Sequence, residues 1–159
     1  AGLLVVRGEQ LPCAGFKGIK NENAFYMTAA GAAANADTGV YACNTYEWPT
    51  LNGRNGNNYA VGTATLGLGI PAGRDGTFTE IVFDGKHAYR FGEGNLSTAI
   101  GENTVFTIAN GLLVPAAAAP TATGAIYFKL KGTGNFTEGA GQSFVYYDVW
   151  ACKVSTVTA

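Results

Sequence analysis

The run Ser143–Lys153, SFVYYDVWACK, is the feature that most constrains the fold of this chain. Aromatic and β-branched residues dominate it, which is typical of a β-strand. Successive side chains of a strand point to opposite faces. One face then carries Phe144, Tyr146, Asp148, Trp150 and Cys152, and the other carries Val145, Tyr147, Val149 and Ala151. Because both faces are largely apolar, we predict a central strand that is covered on both sides.

A second run, Ala125–Lys131, alternates more regularly between apolar and polar residues. The alternation predicts a strand with one face in the core and one face in solvent. The inward set is Ile126, Phe128 and Leu130, and the outward set is Tyr127, Lys129 and Lys131.

Two turn signals separate further β-prone runs. Asp and Asn followed by Gly tolerate the positive φ that tight hairpins require. Asp84-Gly85 lies between Thr77–Phe83 and Lys86–Phe91, and Asn110-Gly111 lies between Val105–Ile108 and Leu112–Val114. Each signal predicts a β-hairpin.

The first third of the chain is less regular. We expect short strands and long loops over Gly8–Asn58, with Val40–Cys43 the best strand candidate. Tyr59–Ile70 reads as a strand that Gly67 and Gly69 interrupt. The apolar N-terminus, Ala1–Arg7, is predicted to be an edge strand or an arm that pairs with a neighbouring chain.

These patterns predict an all-β fold, either a sandwich or a small β-barrel, with an irregular, loop-rich N-terminal third and an extended N-terminal arm. We expect one compact unit, divided into an arm or edge strand at 1–8, a loop-rich β region at 9–58 and a main β domain at 59–159.

The charge content excludes several functional classes. Ten basic and eleven acidic residues give a net charge of −1, without the basic surface that a nucleic-acid-binding protein needs. No run of 18 apolar residues is present, so we predict neither a membrane-spanning helix nor a membrane partner. Charged residues make up only 13% of the chain, which predicts that other subunits cover part of its surface.

The chemistry needed for catalysis is sparse, and we predict a non-catalytic protein without a cofactor or a metal ion. His87 is the only histidine, and no motif selects a nucleophile for it. Cys13, Cys43 and Cys152 are widely spaced, so they are either buried thiols or one disulfide plus one free cysteine. Asp148 stands out because it lies between Tyr146 and Trp150 on one strand face, where it needs hydrogen-bond partners.

A small aromatic group lies in the Asn-rich region. Tyr46, Trp48 and Tyr59 either pin a loop, anchor a protein interface or stack on a sugar ring. We therefore predict contact residues in this group and in the apolar N-terminus: Leu3, Leu4, Val5, Val6, Tyr46, Trp48 and Tyr59.

One series of motifs resembles a known family. It consists of Val61–Leu68 (VGTATLGL), Ala99-Ile100-Gly101, Val105-Phe106, Asn110–Pro115 (NGLLVP), Pro120–Gly124 (PTATG) and a closing strand. This order is similar to bacteriophage capsid decoration, or cement, proteins of the small β-rich type. The resemblance runs from Val61 to Val154 and leaves Gly8–Asn58 unmatched.

The resemblance implies a virion protein that binds the outer surface of an assembled capsid, often as a homotrimer, with the major capsid protein as its partner. It implies that the protein clamps neighbouring capsid subunits, with no catalysis and no cofactor. Two alternatives stay open: a self-assembling extracellular β-subunit, like a pilin or fibre, and a carbohydrate-binding module that uses the exposed aromatic residues.

Overall fold

A computed structural model describes residues 2–12, 18–32, 34, 39–43, 50–52, 58–60, 77–138 and 142–155. Eleven β-strands and one short 3-10 helix, Glu93–Asn95, occur in these residues, and none of them lies in an α-helix. The strands are β1 (Leu4–Pro12), β2 (Lys20–Ala29), β3 (Val40–Cys43), β4 (Thr50–Asn52), β5 (Asn58–Ala60), β6 (Phe78–Glu80), β7 (Ala88–Gly92), β8 (Val105–Ala109), β9 (Leu112–Ala116), β10 (Ile126–Glu138) and β11 (Gln142–Lys153). The predicted all-β class is confirmed.

The first sheet has four strands in the order β2-β1-β3-β6. Its strand β1 pairs with β3 over Leu4–Val6 and with β2 on its other side. The apolar N-terminus is therefore an inner strand here, which corrects the prediction of an edge strand or arm. Burial explains the difference, since other parts of the same chain cover Leu4 and Val5, which expose only 1% and 4% of their surface.

The second sheet has five strands in the order β7-β11-β10-β8-β9. Strand β11 pairs with β10 along its whole length and with β7 over Tyr146–Trp150, so its predicted interior position is confirmed. The prediction that both of its faces are covered is wrong, because Tyr146, Asp148 and Trp150 on the outer face are only half-buried. Strand β10 begins at Ile126, one residue after the predicted start, and continues to Glu138, past an irregularity between Leu130 and Gly132. A separate two-stranded ladder joins β4 and β5.

One hydrophobic core joins the two sheets, which are not closed into a barrel. The four-stranded sheet and its flanking segments contribute Leu4, Ala30, Val40 and Ile81; the five-stranded sheet contributes Phe91, Phe106, Ile108, Leu113, Ile126, Phe128, Tyr147, Val149 and Ala151. The Phe128 ring packs against two other rings of the core: its centroid lies 5.4 Å from the centroid of Phe83 and 5.8 Å from that of Phe91. Fully burying a side chain of this size stabilises the fold by about 1.5–3 kcal/mol.

A ring of three backbone hydrogen bonds fastens one sheet to the other. The Leu4 N–H donates to the Gly111 carbonyl (2.9 Å), the Gly111 N–H donates to the Ala30 carbonyl (2.8 Å), and the Ala30 N–H donates to the Leu4 carbonyl (2.9 Å). Gly111 is half of the predicted Asn110-Gly111 turn, which is confirmed with φ values of 51° and 76°. The turn therefore both closes the β8–β9 hairpin and anchors the start of β1.

The second turn signal does not form the predicted hairpin. The strands on either side of Asp84-Gly85 join different sheets, because β6 pairs with β3 and β7 pairs with β11. Between them, the Ile81 N–H donates to the Val40 carbonyl and the Gly85 N–H donates to the Ala151 carbonyl. The chain thus crosses from one sheet to the other at this turn.

The described part of the N-terminal third contains longer strands than expected. Strands β1 and β2 form a long antiparallel hairpin, and β2 alone has ten residues where short strands were predicted. Val40–Cys43 forms β3 with the predicted bounds. Of the predicted strand Tyr59–Ile70, the structure describes only the part that belongs to β5, and the rest lies outside the described residues.

Candidate interface on the outer face of the five-stranded sheet

The five-stranded sheet has a buried inner face and an outer face of mixed chemistry. Tyr147, Val149 and Ala151 point into the core from β11. Residues that lie opposite each other in a ladder point to the same face of a sheet. The outer face therefore carries Tyr146, Asp148, Trp150 and Cys152 from β11, Arg90 from β7, and Tyr127 and Lys129 from β10.

Arg90 and Asp148 form a two-pronged ion pair across β7 and β11. The Arg90 Nε donates to Asp148 Oδ1 at 2.8 Å and its Nη2 donates to Oδ2 at 3.1 Å. The guanidinium also lies over the Tyr146 ring, 3.9 Å from its centroid. Asp148 thus has the partner that its position among aromatic residues required, and Arg90 has its planar group held from two directions.

Tyr146 in turn lies against a residue without a side chain. A Cβ added to Gly134, the residue opposite it on β10, would come 2.6 Å from the Tyr146 Cζ and would also meet the hydroxyl. Only glycine leaves room for the ring to lie across the β10 backbone. The Tyr146 ring is therefore enclosed between Gly134 and Arg90.

Lys131 and Trp150 form a second pair in which a cation lies over an aromatic ring, as Arg90 lies over Tyr146. Lys131 lies at the irregularity in β10, and its Nζ is 4.8 Å from the centroid of the Trp150 ring. We call Arg90, Lys129, Lys131, Tyr146, Asp148 and Trp150 together the basic–aromatic strip. Both of its aromatic rings are covered by a cation, which leaves the charges exposed and shields the rings.

The electrostatics of the strip follow from these contacts. The hydrogen bonds from Arg90 are the largest cause that lowers the pKa of Asp148 below its usual value, with attraction from Lys131 adding to it. The same hydrogen bonds raise the pKa of Arg90. Asp148 is therefore ionised in the folded protein at neutral pH, and the strip carries three cations and one carboxylate.

The other half of this face is uncharged. The pairing of Lys129 with Val105, and of Thr107 with Val114, places the half-buried side chains of β8 and β9 beside the basic–aromatic strip. We call this set the apolar strip: Val105, Thr107, Ala109, Leu112, Val114 and Ala116. A face with apolar side chains next to Arg, Tyr and Trp has the composition of protein–protein interfaces.

A second polar cluster lies in the turn where the chain changes sheets. Asp84 Oδ1 accepts hydrogen bonds from the backbone N–H of Lys86 (2.8 Å) and His87 (3.0 Å), while Oδ2 lies 2.7 Å from His87 Nδ1. The Lys86 bond is the largest cause that lowers the pKa of Asp84 to about 2. The carboxylate thus holds its own turn together, and His87 stays largely exposed beside it.

The predicted contact residues fall into two groups. In the N-terminal group, Leu4 is buried in the core and Val5 is buried on the opposite face of β1, so neither is available to a partner. Val6 is half-buried, and Leu3 is 41% exposed. In the aromatic group, Tyr46 and Trp48 lie outside the described residues. The backbone of Tyr59 lies in β5, and its side chain is outside the description.

Sequence reasoning singled out Asp148 but missed Arg90, Lys131 and Gly134. Arg90, the partner of Asp148, lies 58 residues away in the sequence, so no local pattern links the two residues. One signal was available: Arg90 is the basic residue at an outward position of the run Lys86–Phe91, and outward residues of neighbouring strands meet on the same face.

Cysteine and metal chemistry are limited in the described part of the chain. Cys43 is buried and Cys152 carries a free thiol, whose pKa is raised chiefly by burial; Cys13 lies outside the described residues. Among the residues that the structure describes, no three His, Cys, Asp or Glu side chains are grouped to hold a metal ion. That same part of the chain contains no helix with the length and hydropathy to cross a membrane.

Two of the open cavities in the described part of the chain are large enough to consider as sites. The larger, about 480 Å³, is lined mainly by small residues such as Ala32, Ala34 and Ala122. The smaller, about 330 Å³, has Glu93 as the carboxylate in its lining. Neither brings a histidine or cysteine to its wall in the described residues, so the outer face remains the stronger candidate site.

Comparison with protein-family models, with curated proteins and with solved structures finds no match to this chain. A functional conclusion therefore depends on the residues and the geometry given above.

Proposed function

We propose that this protein is a structural component of a phage virion, which binds the outer surface of the assembled capsid and stabilises it by clamping neighbouring subunits of the major capsid protein. The observation that carries the proposal is the outer face of the five-stranded sheet, where the apolar strip lies beside the basic–aromatic strip. The sequence resemblance to decoration proteins, from Val61 to Val154, supports the same function.

Clamping of a shell does not require a strong single contact. A shell presents the same surface many times, so modest interfaces that engage together hold much more tightly than each would alone. A homotrimer placed on a three-fold position multiplies each contact by three. The low charge content of the chain favours such an assembly, because little repulsion opposes contact between copies.

The test is co-sedimentation with empty shells assembled from the major capsid protein of the genome that encodes this chain. We expect the protein to sediment with the shells at a fixed ratio and to raise the temperature at which they rupture. Light scattering of the free protein, over a range of concentrations, reports whether the trimer exists before docking. A protein that stays in the supernatant at every concentration contradicts the proposal.

A self-assembling β-subunit is the second candidate, and one observation favours it. Among the described strands, β2 pairs with β1 alone, and its ten residues form a long outer edge of the four-stranded sheet. Such an edge can pair with another chain. Light scattering separates the two candidates, since growth into polymers without shells is expected only for self-assembly.

A further inference from the structure

We propose that the outer face of the five-stranded sheet binds an acidic, partly apolar peptide segment of the partner protein. Its carboxylates meet Arg90, Lys129 and Lys131, and its apolar side chains lie on the apolar strip. This inference rests on the proposed function, because it identifies the chemistry of the capsid segment that the protein would grip.

Charge complementarity is the first argument. Within the strip, three cations on neighbouring strands accompany one carboxylate, Asp148, in a chain whose net charge is −1. Asp84 is a further carboxylate near the end of this face, where its charge acts on Cys152. Lys129 and Lys131 are exposed, and the Arg90 side chain is 62% exposed. Opposite charges across an interface steer association and fix the register of the two surfaces.

The second argument is that two of the cations are already held in position. Arg90 is bound by both oxygens of Asp148 and stacked on Tyr146, and Lys131 lies over Trp150. A long side chain that is fixed before binding loses less conformational freedom when a partner arrives. The contacts within the strip thus prepare its charges for a ligand.

The apolar strip decides the class of ligand. A nucleic acid would use the cations but would leave Val105, Leu112 and Val114 without a partner. A peptide with both carboxylate and aliphatic side chains satisfies both halves of the face. Interfaces between proteins likewise combine apolar with polar surface and are enriched in aromatic residues and Arg.

The experiment measures binding of a short labelled peptide of Glu and Leu residues to the full-length protein by fluorescence anisotropy. A second peptide with Gln in place of Glu keeps the apolar content and removes the charge. Single-stranded oligothymidylate is the third probe. We expect the Glu peptide to bind, the Gln peptide to bind more weakly, and the oligothymidylate to bind no better than the Gln peptide.

Two variants locate the binding. Lys131→Gln removes one charge from the strip, and Arg7→Gln is its match because Arg7 also lies over a ring, that of Phe25, on the other sheet. We expect Lys131→Gln to weaken binding of the Glu peptide about threefold, and Arg7→Gln to leave it unchanged. Equal binding of the Glu and Gln peptides, equal effects of the two variants, or preferential binding of oligothymidylate overturns the inference.

Co-sedimentation keeps this inference separate from the proposed function. If the wild-type protein and Lys131→Gln sediment with shells equally well at limiting concentration, the capsid contact lies elsewhere and the inference is wrong while the function stands. If the wild-type protein does not sediment, the proposed function fails, and the peptide measurements alone then decide whether the face binds acidic segments.

Discussion

Replacement of Gly111 by Ala tests whether the hydrogen-bond ring between the sheets determines stability. A Cβ at this position would lie 2.7 Å from Leu3 Cδ1 and 2.8 Å from the Leu4 carbonyl oxygen. The leucine side chain can rotate away, but the carbonyl cannot move without loss of the hydrogen bond from Ala30. The substitution therefore forces the ring to open.

The magnitude has two parts. An L-residue at φ +76° costs roughly 1–2 kcal/mol from the left-handed backbone conformation. Opening the ring adds the loss of one or two backbone hydrogen bonds, each with a net contribution of about 1 kcal/mol. We expect Gly111→Ala to lower the free energy of unfolding by about 3 kcal/mol in total, from these two contributions.

Gly85→Ala is the matched control. Gly85 has nearly the same backbone angle, φ +73°, but no atom lies within 4 Å of an added Cβ. The control thus carries the conformational cost alone. The difference in free energy of unfolding between the two variants, about 1–2 kcal/mol, gives the contribution of the hydrogen-bond ring. Urea unfolding followed by tryptophan fluorescence gives both values. Two variants destabilised equally, within about 0.5 kcal/mol, would refute the reasoning.

Three further predictions concern the outer face and the thiol. Gly134→Ala should displace the Tyr146 ring, whereas Gly132→Ala, whose added Cβ meets open space, should leave that ring in place. The NMR chemical shifts of the Tyr146 ring protons report the displacement in each variant. Equal shift changes in the two variants would contradict the packing of the ring on Gly134. Because the pKa of Asp148 is lowered in the folded state, its ion pair stabilises the protein above about pH 4 and this contribution disappears as pH falls. Urea unfolding at several pH values should therefore show that Asp148→Asn loses less free energy of unfolding at acid pH than the wild type does. Equal losses in the two proteins would argue against the ion pair. Burial raises the pKa of Cys152, so peptide mapping after iodoacetamide should find it modified slowly when folded and rapidly in urea; rapid modification of the folded protein would contradict this.

The features that sequence could predict are local ones. Val40–Cys43 was predicted with its observed bounds, and Asn110-Gly111 was predicted as a hairpin turn. The inward positions Ile126 and Phe128 were also correct, with exposed fractions of 7% and 0%. Each depends on a period of two or on a residue that tolerates positive φ, and both signals are contained in a few neighbouring residues.

The features that sequence could not supply depend on which strands pair. Asp84-Gly85 has the composition of a hairpin turn, yet its flanking strands find partners in different sheets. The apolar start of β1 is compatible with an edge or an interior position, and only its pairing with β3 decides between them. The candidate site could not be predicted for the same reason, since Arg90 and Asp148 meet only because β7 and β11 are neighbouring strands.

The hydrogen-bond ring at Gly111 also has a consequence for the order of folding. It joins Leu4 and Ala30, which the pairing of β1 with β2 brings together, to a turn about two thirds of the chain beyond Leu4 and about half of the chain beyond Ala30. The β10–β11 pairing joins residues that are close in sequence, so we expect it to form early and the ring to close only after both sheets have formed. Gly111→Ala should therefore speed unfolding and leave the refolding rate nearly unchanged, as expected for a contact made after the transition state. That late closure would then be the contact that makes the folded chain slow to open.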